Sequence, residues 1–202
     1  MNFFHQLIFD TPQLAQFISR TPTLEGRDAA HVSPSDSGIS VAILLSPSTS
    51  PVEGLILRTS CKQSDWQLSS LAQLCNSSLS PRVISSVEKL IIREKKRMQL
   101  HWQDDIENGQ WMEVLRPFTA VKDLYLSHKF VPCVALALQE LVGERAMEVL
   151  PALQNIFLEE PHQLGHVQEA IGQFVAARQL SSHPIAVCPW SGENDVWWDP
   201  DI

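Results

Sequence analysis

An α/β fold, with parallel strands alternating with helices in a single 202-residue domain, is predicted by three observations. A six-residue apolar motif recurs along the chain, helical periodicity fills the gaps between its copies, and no apolar run is long enough to divert the chain into a membrane. The motif occurs as Val52-Glu53-Gly54-Leu55-Ile56-Leu57, Val87-Glu88-Lys89-Leu90-Ile91-Ile92, Val121-Lys122-Asp123-Leu124-Tyr125-Leu126 and Leu153-Gln154-Asn155-Ile156-Phe157-Leu158. Each copy is apolar at places 1, 4 and 6, and the fourth places, at 55, 90, 124 and 156, are separated by steps of 35, 34 and 32. Ile185-Ala186-Val187 is a weaker copy after a further 29 residues. A strand–helix unit that returns each strand in the same direction should set these segments side by side and parallel.

Apolar residues at places 1, 4 and 6 are the strand signature of leucine-rich repeats, although these steps exceed the common period of about 20–29 residues. The expected architecture is therefore an irregular leucine-rich-repeat solenoid, with parallel strands on the concave face, helices on the convex face and an N-terminal β-hairpin interruption. One leucine-rich-repeat-like domain spans 1–202: an irregular N-terminal repeat and hairpin (1–51), regular strand–helix repeats (52–189) and a C-terminal tail (190–202).

The helices follow from spacing. Ser64-Asp65-Trp66-Gln67 is a capping box, and Leu68, Leu71, Ala72 and Cys75 behind it form one apolar stripe. Trp111, Val114, Leu115 and Phe118 repeat that spacing, and Pro117 ends the helix. Pro132 suits the first turn of a third helix carrying Val134, Leu138 and Leu141, with Gly143 as its left-handed terminator. A fourth presents Val167, Ala170, Ile171, Phe174 and Val175 inward and Gln168, Glu169, Gln173 and Arg178 outward. Nearer the start, Leu7-Ile8-Phe9 resembles a strand end, and Thr11 caps a helix through Leu14, Phe17 and Ile18. Ala30-His31-Val32 and Ile39-Ser40-Val41-Ala42-Ile43 form a hairpin across the Pro/Ser/Gly-rich turn at 33–38. Leu7–Phe9 begins without a polar capping unit before it, which leaves a truncated repeat fragment with no partner of its own as the alternative to a binding protein.

Composition narrows the function. The net charge of −8, from 23 acidic and 15 basic side chains, opposes a phosphate backbone, so no nucleic-acid partner is expected. The first residues lack a basic region and a cleavage site, which leads to the expectation of a cytoplasmic or nuclear protein with no membrane partner. Cys61, Cys75, Cys133 and Cys188 are widely spaced and are expected as reduced, packed thiols. His162 and His166 stand four apart, but the Glu of a zinc hydrolase is missing between them. Hydrolase elbows and phosphate loops are also absent from the sequence. The expectation is no enzyme, no metal and no cofactor, with a hydrolase of unrecognised site as the remote alternative. The basic run Arg93-Glu94-Lys95-Lys96-Arg97 is answered by Asp104, Asp105 and Glu107 and is expected to be a solvated loop.

Side chains alternate along a strand, so the residues between the buried pairs face the open side. The predicted central row is Ile56, Ile91, Tyr125, Phe157 and Ala186. Lys89, Asp123 and Asn155 border it on one side, and Arg58, Arg93, Ser127 and Glu159 on the other. An apolar stripe with a polar rim is the pattern of a protein-binding surface, and Ile56, Ile91, Tyr125, Phe157, Arg58, Arg93 and Lys89 are the candidate partner-binding residues. The competing expectation is that the tail, with Trp190, Trp197 and Trp198, folds over the stripe or caps the last repeat.

Three stretches carry a resemblance to a known family: F-D-T-P-Q-L-A-Q-F-I-S-R-T-P near the start, S-D-W-Q-L-S-S-L-A-Q-L-C in the middle, and much of the chain from Trp111 to Pro189. Together they resemble the C-terminal repeat region of fungal F-box/leucine-rich-repeat proteins. The resemblance implies the substrate-recruiting arm of a cullin-type ubiquitin ligase, in which an F-box holds the adaptor subunit and the repeats hold the target. The first forty residues contain no L-P-x-E start of an F-box, so adaptor binding is not carried over. Ser60, Lys95, Lys129 and Pro161 stand where regular repeats place an Asn, which implies irregular curvature.

Overall fold

In the computed structural model the described residues are 16, 20–21, 27–34, 40–46, 55–60, 65–79, 81–93, 108–159 and 165–191. The segment Leu7–Phe9, the helix through Leu14, Phe17 and Ile18, Ser64, Cys61, His162, Lys95–Arg97 and the tail beyond Ser191 lie outside them, as does the side chain of His166. The chain order is β1 (Ala29–Pro34), β2 (Ser40–Ser46), β3 (Leu55–Ser60), α1 (Asp65–Gln73), α2 (Pro81–Ile84), β4 (Lys89–Ile92), α3 (Asn108–Leu115), β5 (Asp123–Leu126), α4 (Val131–Gln139), β6 (Asn155–Glu159), α5 (Gly165–Leu180) and β7 (Ala186–Trp190). A π-type turn, Leu74–Ser78, extends α1, and a 3-10 turn, Gly143–Met147, follows α4. Among the described residues no helix is long and apolar enough to cross a membrane.

The strands form one mixed sheet in the order β3-β2-β1-β4-β5-β6-β7. Strands β1, β4, β5, β6 and β7 are mutually parallel, while β2 pairs antiparallel with both β1 and β3. The predicted hairpin therefore forms, but it does not merely interrupt the array. Its first strand occupies the place beside β4 that motif counting assigns to 55–57, and Leu55–Ser60 lies at the sheet edge, next to β2. Leu55 and Leu57 are accordingly only partly buried.

A recurring joint explains why β1 holds that place. The Asp28 carbonyl accepts the N–H groups of Glu88 and Lys89, the Glu88 carbonyl those of Lys122 and Asp123, and the Lys122 carbonyl those of Gln154 and Asn155. The Gln154 carbonyl then accepts from Ala186. Each residue that enters a parallel strand thus fixes the start of the next, in register Ala30–Leu90–Leu124–Ile156–Val187. Val187, two residues after Ile185, is the true counterpart of Ile156, so Cys188 and not Ala186 stands beside Phe157.

One face of the sheet is packed. Ala30, Val32, Leu90, Ile92, Leu124, Leu126, Ile156 and Leu158 are buried in a single cluster with the helix stripes. The cluster includes Leu68, Leu71 and Cys75 of the first stripe, Trp111, Val114, Leu115 and Phe118 of the second, Val134, Leu138 and Leu141 of the third, and Val167, Ala170, Ile171 and Phe174 of the fourth. Helices α1, α3, α4 and α5 lie beside one another in that order. The Trp111 and Phe130 rings meet edge to face at 5.8 Å between α3 and the start of α4. Burying these side chains, at roughly 1.5–3 kcal/mol each, is what holds helices to sheet.

Two expectations for the helices are corrected. Gly143 does adopt a left-handed φ of 59°, but α4 has already ended at Gln139, and Gly143 opens the 3-10 turn instead. Arg178 does not face away: it is fully buried, because its guanidinium donates to the carbonyls of Ala146, Leu150, Pro151 and Leu153 at 3.0–3.4 Å. Burial lowers its pKa from the ordinary value.

Candidate functional site

On the opposite face, strand alternation brings Ile56, His31, Ile91, Tyr125, Phe157 and Cys188 into one row. No described helix packs there. Tyr125 and Phe157, paired in register on β5 and β6, stack with ring centroids 4.3 Å apart and planes within 7°. Trp190, at the end of β7, reaches across to meet Tyr125 edge-on at 5.3 Å. Lys89 Nζ sits 4.5 Å from the Tyr125 ring centre, and the Arg93 guanidinium lies 5.9 Å from the Trp190 ring. Contacts of this kind favour a cation over an aromatic face by about 0.5–1 kcal/mol at exposed sites.

The polar rim is also ordered. Asn155 Nδ2 donates to Asp123 Oδ1 at 2.7 Å across the strand starts, and Lys122 pairs with Glu88 at 2.7 Å just outside them. At the other end of the strands, the His128 backbone N–H donates to Glu159 Oε2 at 3.3 Å, with the imidazole 3.6 Å from the same oxygen. The Lys122–Glu88 ion pair is exposed and, like the contact between exposed His128 and half-buried Glu159, adds little to stability. Their effect is to define where the apolar surface stops.

Of the candidate residues, Lys89, Arg93, Tyr125 and Phe157 come together. Ile56 is separated from them by β2 and β1 and remains 44% exposed at the sheet edge. Arg58 stands opposite Ala42 in β3, on the same edge strand, and its side chain is outside the described set. Ile91 lies in the predicted row but is fully buried, so it contributes no open surface. Ala186 falls in the row of Lys89, Asp123 and Asn155 because of the two-residue offset in β7. Motif counting missed His31, Cys188 and Trp190. Alternation through Val187-Cys188-Pro189-Trp190 would have put Cys188 and Trp190 on the open face once Val187 was taken as the inward residue.

The thiols divide in the same way. Cys75 is buried in the helix layer and its pKa is pushed up by burial to about 12; Cys133, whose Sγ donates to the Phe130 carbonyl at 3.2 Å, is pushed up by burial to about 11. Both are protonated near neutrality and are poor nucleophiles. Among the described residues no three His, Cys, Asp or Glu side chains are grouped to hold a metal ion. The face offers aromatic surface flanked by fixed charge, which suits recognition of another molecule by contact. No known protein family, curated protein or solved structure matches this chain.

Proposed function

We propose that this chain is a protein-interaction module, an irregular leucine-rich-repeat solenoid whose helix-free concave strand face holds a protein partner. The observation that carries this reading is the joined cluster of Lys89, Tyr125, Phe157, Trp190 and Arg93 on that face. Aromatic rings and Arg near the centre of a contact are the usual energetic anchors of protein interfaces. The solenoid reading is supported by the same carbonyl joint recurring at Asp28, Glu88, Lys122 and Gln154. By resemblance the role is that of the substrate-recruiting repeat arm of an F-box ubiquitin-ligase subunit; adaptor binding is not part of the proposal. Enzymatic action is not part of it either.

The test is affinity capture with the purified chain, identification of the retained protein, and measurement of its Kd against point variants. Tyr125→Ala and Phe157→Ala should each weaken binding by about 30-fold or more, the equivalent of about 2 kcal/mol, with unchanged circular dichroism. Equal affinity of both variants and the parent would remove this face as the site. A self-covered face is the second reading, favoured by the position of Trp190 over Tyr125.

A further inference from the structure

We propose that Pro189 is an edge block, which keeps the sheet from being extended beyond β7 by the β3 strand of a second copy of this chain. Among the described residues, β3 and β7 form the two edges of the sheet. Because β2 pairs antiparallel with both β1 and β3, β3 points the same way as β1, and so the same way as β7. The two edges are therefore matched for parallel pairing between copies. Each also shows an exposed apolar side chain, Ile56 on β3 and Val187 on β7. A head-to-tail contact of this kind leaves a fresh edge after every addition, so it grows into filaments unless the rotation closes a ring.

Register fixes which backbone groups of β7 such a neighbour would need. The Ala186 N–H donates to the Gln154 carbonyl, so Ala186, Cys188 and Trp190 turn their backbone groups toward β6, and Val187 and Pro189 turn theirs outward. Pro189 stands in register with Val32, Ile92, Leu126 and Leu158 of the earlier parallel strands. That place faces the following strand: the Val32 carbonyl accepts from Arg93 and the Ile92 carbonyl from Ser127. A proline there has no N–H to give, and its ring fills the space that the neighbour's carbonyl would enter. The Val187 N–H is left as the one donor on the outer side of β7. Strands β4, β5 and β6, paired on both sides, contain no proline.

Pro189→Ala and Pro189→Thr both restore the N–H, and the first does so without adding a β-branched side chain. Pro189 is exposed and its nitrogen donates to nothing, so neither change should disturb the fold. Sedimentation velocity of the full chain at rising concentration should show a monomeric parent and, for both variants, species that grow past the dimer, with circular dichroism unchanged at the lowest concentration. Hydrogen exchange at the Val187 amide should slow about tenfold once roughly nine-tenths of the chains are paired, and exchange in 55–60 should slow with it. Adding Ile56→Lys to Pro189→Thr should return the chain to a monomer, because a charged side chain on an edge strand opposes strand addition. Variants that stay monomeric with the parent's Val187 exchange, or that stop at a dimer protected in β7 alone, overturn the proposal. A parent that already associates through β7 overturns it as well.

Discussion

Arg178 shows how much one side chain can organise. Its two terminal nitrogens donate to four carbonyls, Ala146 within the 3-10 turn and Leu150, Pro151 and Leu153 between that turn and β6, a stretch in which Leu150 has a φ of 49°. A left-handed Leu is costly, and the guanidinium helps hold that backbone in place. Arg178→Met keeps most of the apolar stem but leaves the carbonyls without their donor. It should destabilise the fold by on the order of 3 kcal/mol, lowering Tm by roughly 6–12 °C. A variant with the parent's Tm would show that the carbonyls find water instead. The buried thiols act on the pH axis. Cys75 and Cys133 have folded pKa values near 12 and 11, above the ordinary 9.0, so the folded chain holds its protons more tightly. Their contribution is complete below about pH 9 and is lost as pH rises toward 11 and 12. Urea midpoints should therefore be level from pH 7 to 8.5 and fall above pH 9, by up to about 1.4 kcal/mol per unit for each thiol. Cys75→Ala/Cys133→Ala should flatten that fall; an identical alkaline slope in the double variant would assign it to other groups.

At the scale of elements, the end of α5 has a defined stop. The His183 N–H donates to the Arg178 carbonyl and the Ser182 N–H to the Gln179 carbonyl, the paired bonds of a Schellman motif, with Ser182 left-handed at φ 63°. Glycine is the usual residue there because it has no Cβ to strain. Ser182 is exposed, so replacing it removes no core contact. Ser182→Gly should stabilise the protein by about 0.5–1 kcal/mol, read as a higher denaturation midpoint with unchanged slope. A lower midpoint would mean that the hydroxyl has a structural role. The motif also explains how β7 begins on time: the chain leaves α5, turns at Ser182 and buries Ile185 before Ala186 pairs with Asn155.

Across the whole molecule, the strand–helix alternation from β4 onward was legible because each inward place is filled by a large apolar residue at an even spacing. Leu90, Ile92, Leu124, Leu126, Ile156 and Leu158 all enter the core as expected. The first parallel strand was not legible as such. At its inward places it carries Ala30, a small side chain, and Arg27 precedes it where the other copies begin with Val or Leu. Leu55-Ile56-Leu57 has the stronger pattern but is only partly buried, because an edge strand beside β2 covers less. Periodicity reports how apolar a segment is, and the neighbours of that segment are set by hydrogen-bond register. The candidate site was legible at Lys89, Arg93, Tyr125 and Phe157 for the same reason that β4 to β6 were. Trp190 was missed because Pro189 obscured the strand that carries it.

The carbonyl joints have a last consequence, for the entropy of closing the chain. From Glu88 to Lys122 and from Lys122 to Gln154 the joints close 34 and 32 residues, whereas Asp28 to Glu88 closes 60. Ring-closure entropy grows only logarithmically, so nearly doubling the span costs about 0.6 kcal/mol, less than one buried methylene. The extra antiparallel pair, β2 and β3, is thus carried between the ends of that joint at almost no thermodynamic cost. The same arithmetic makes it the place where this architecture can gain or lose a peripheral hairpin while the register from β4 to β7 stays as it is.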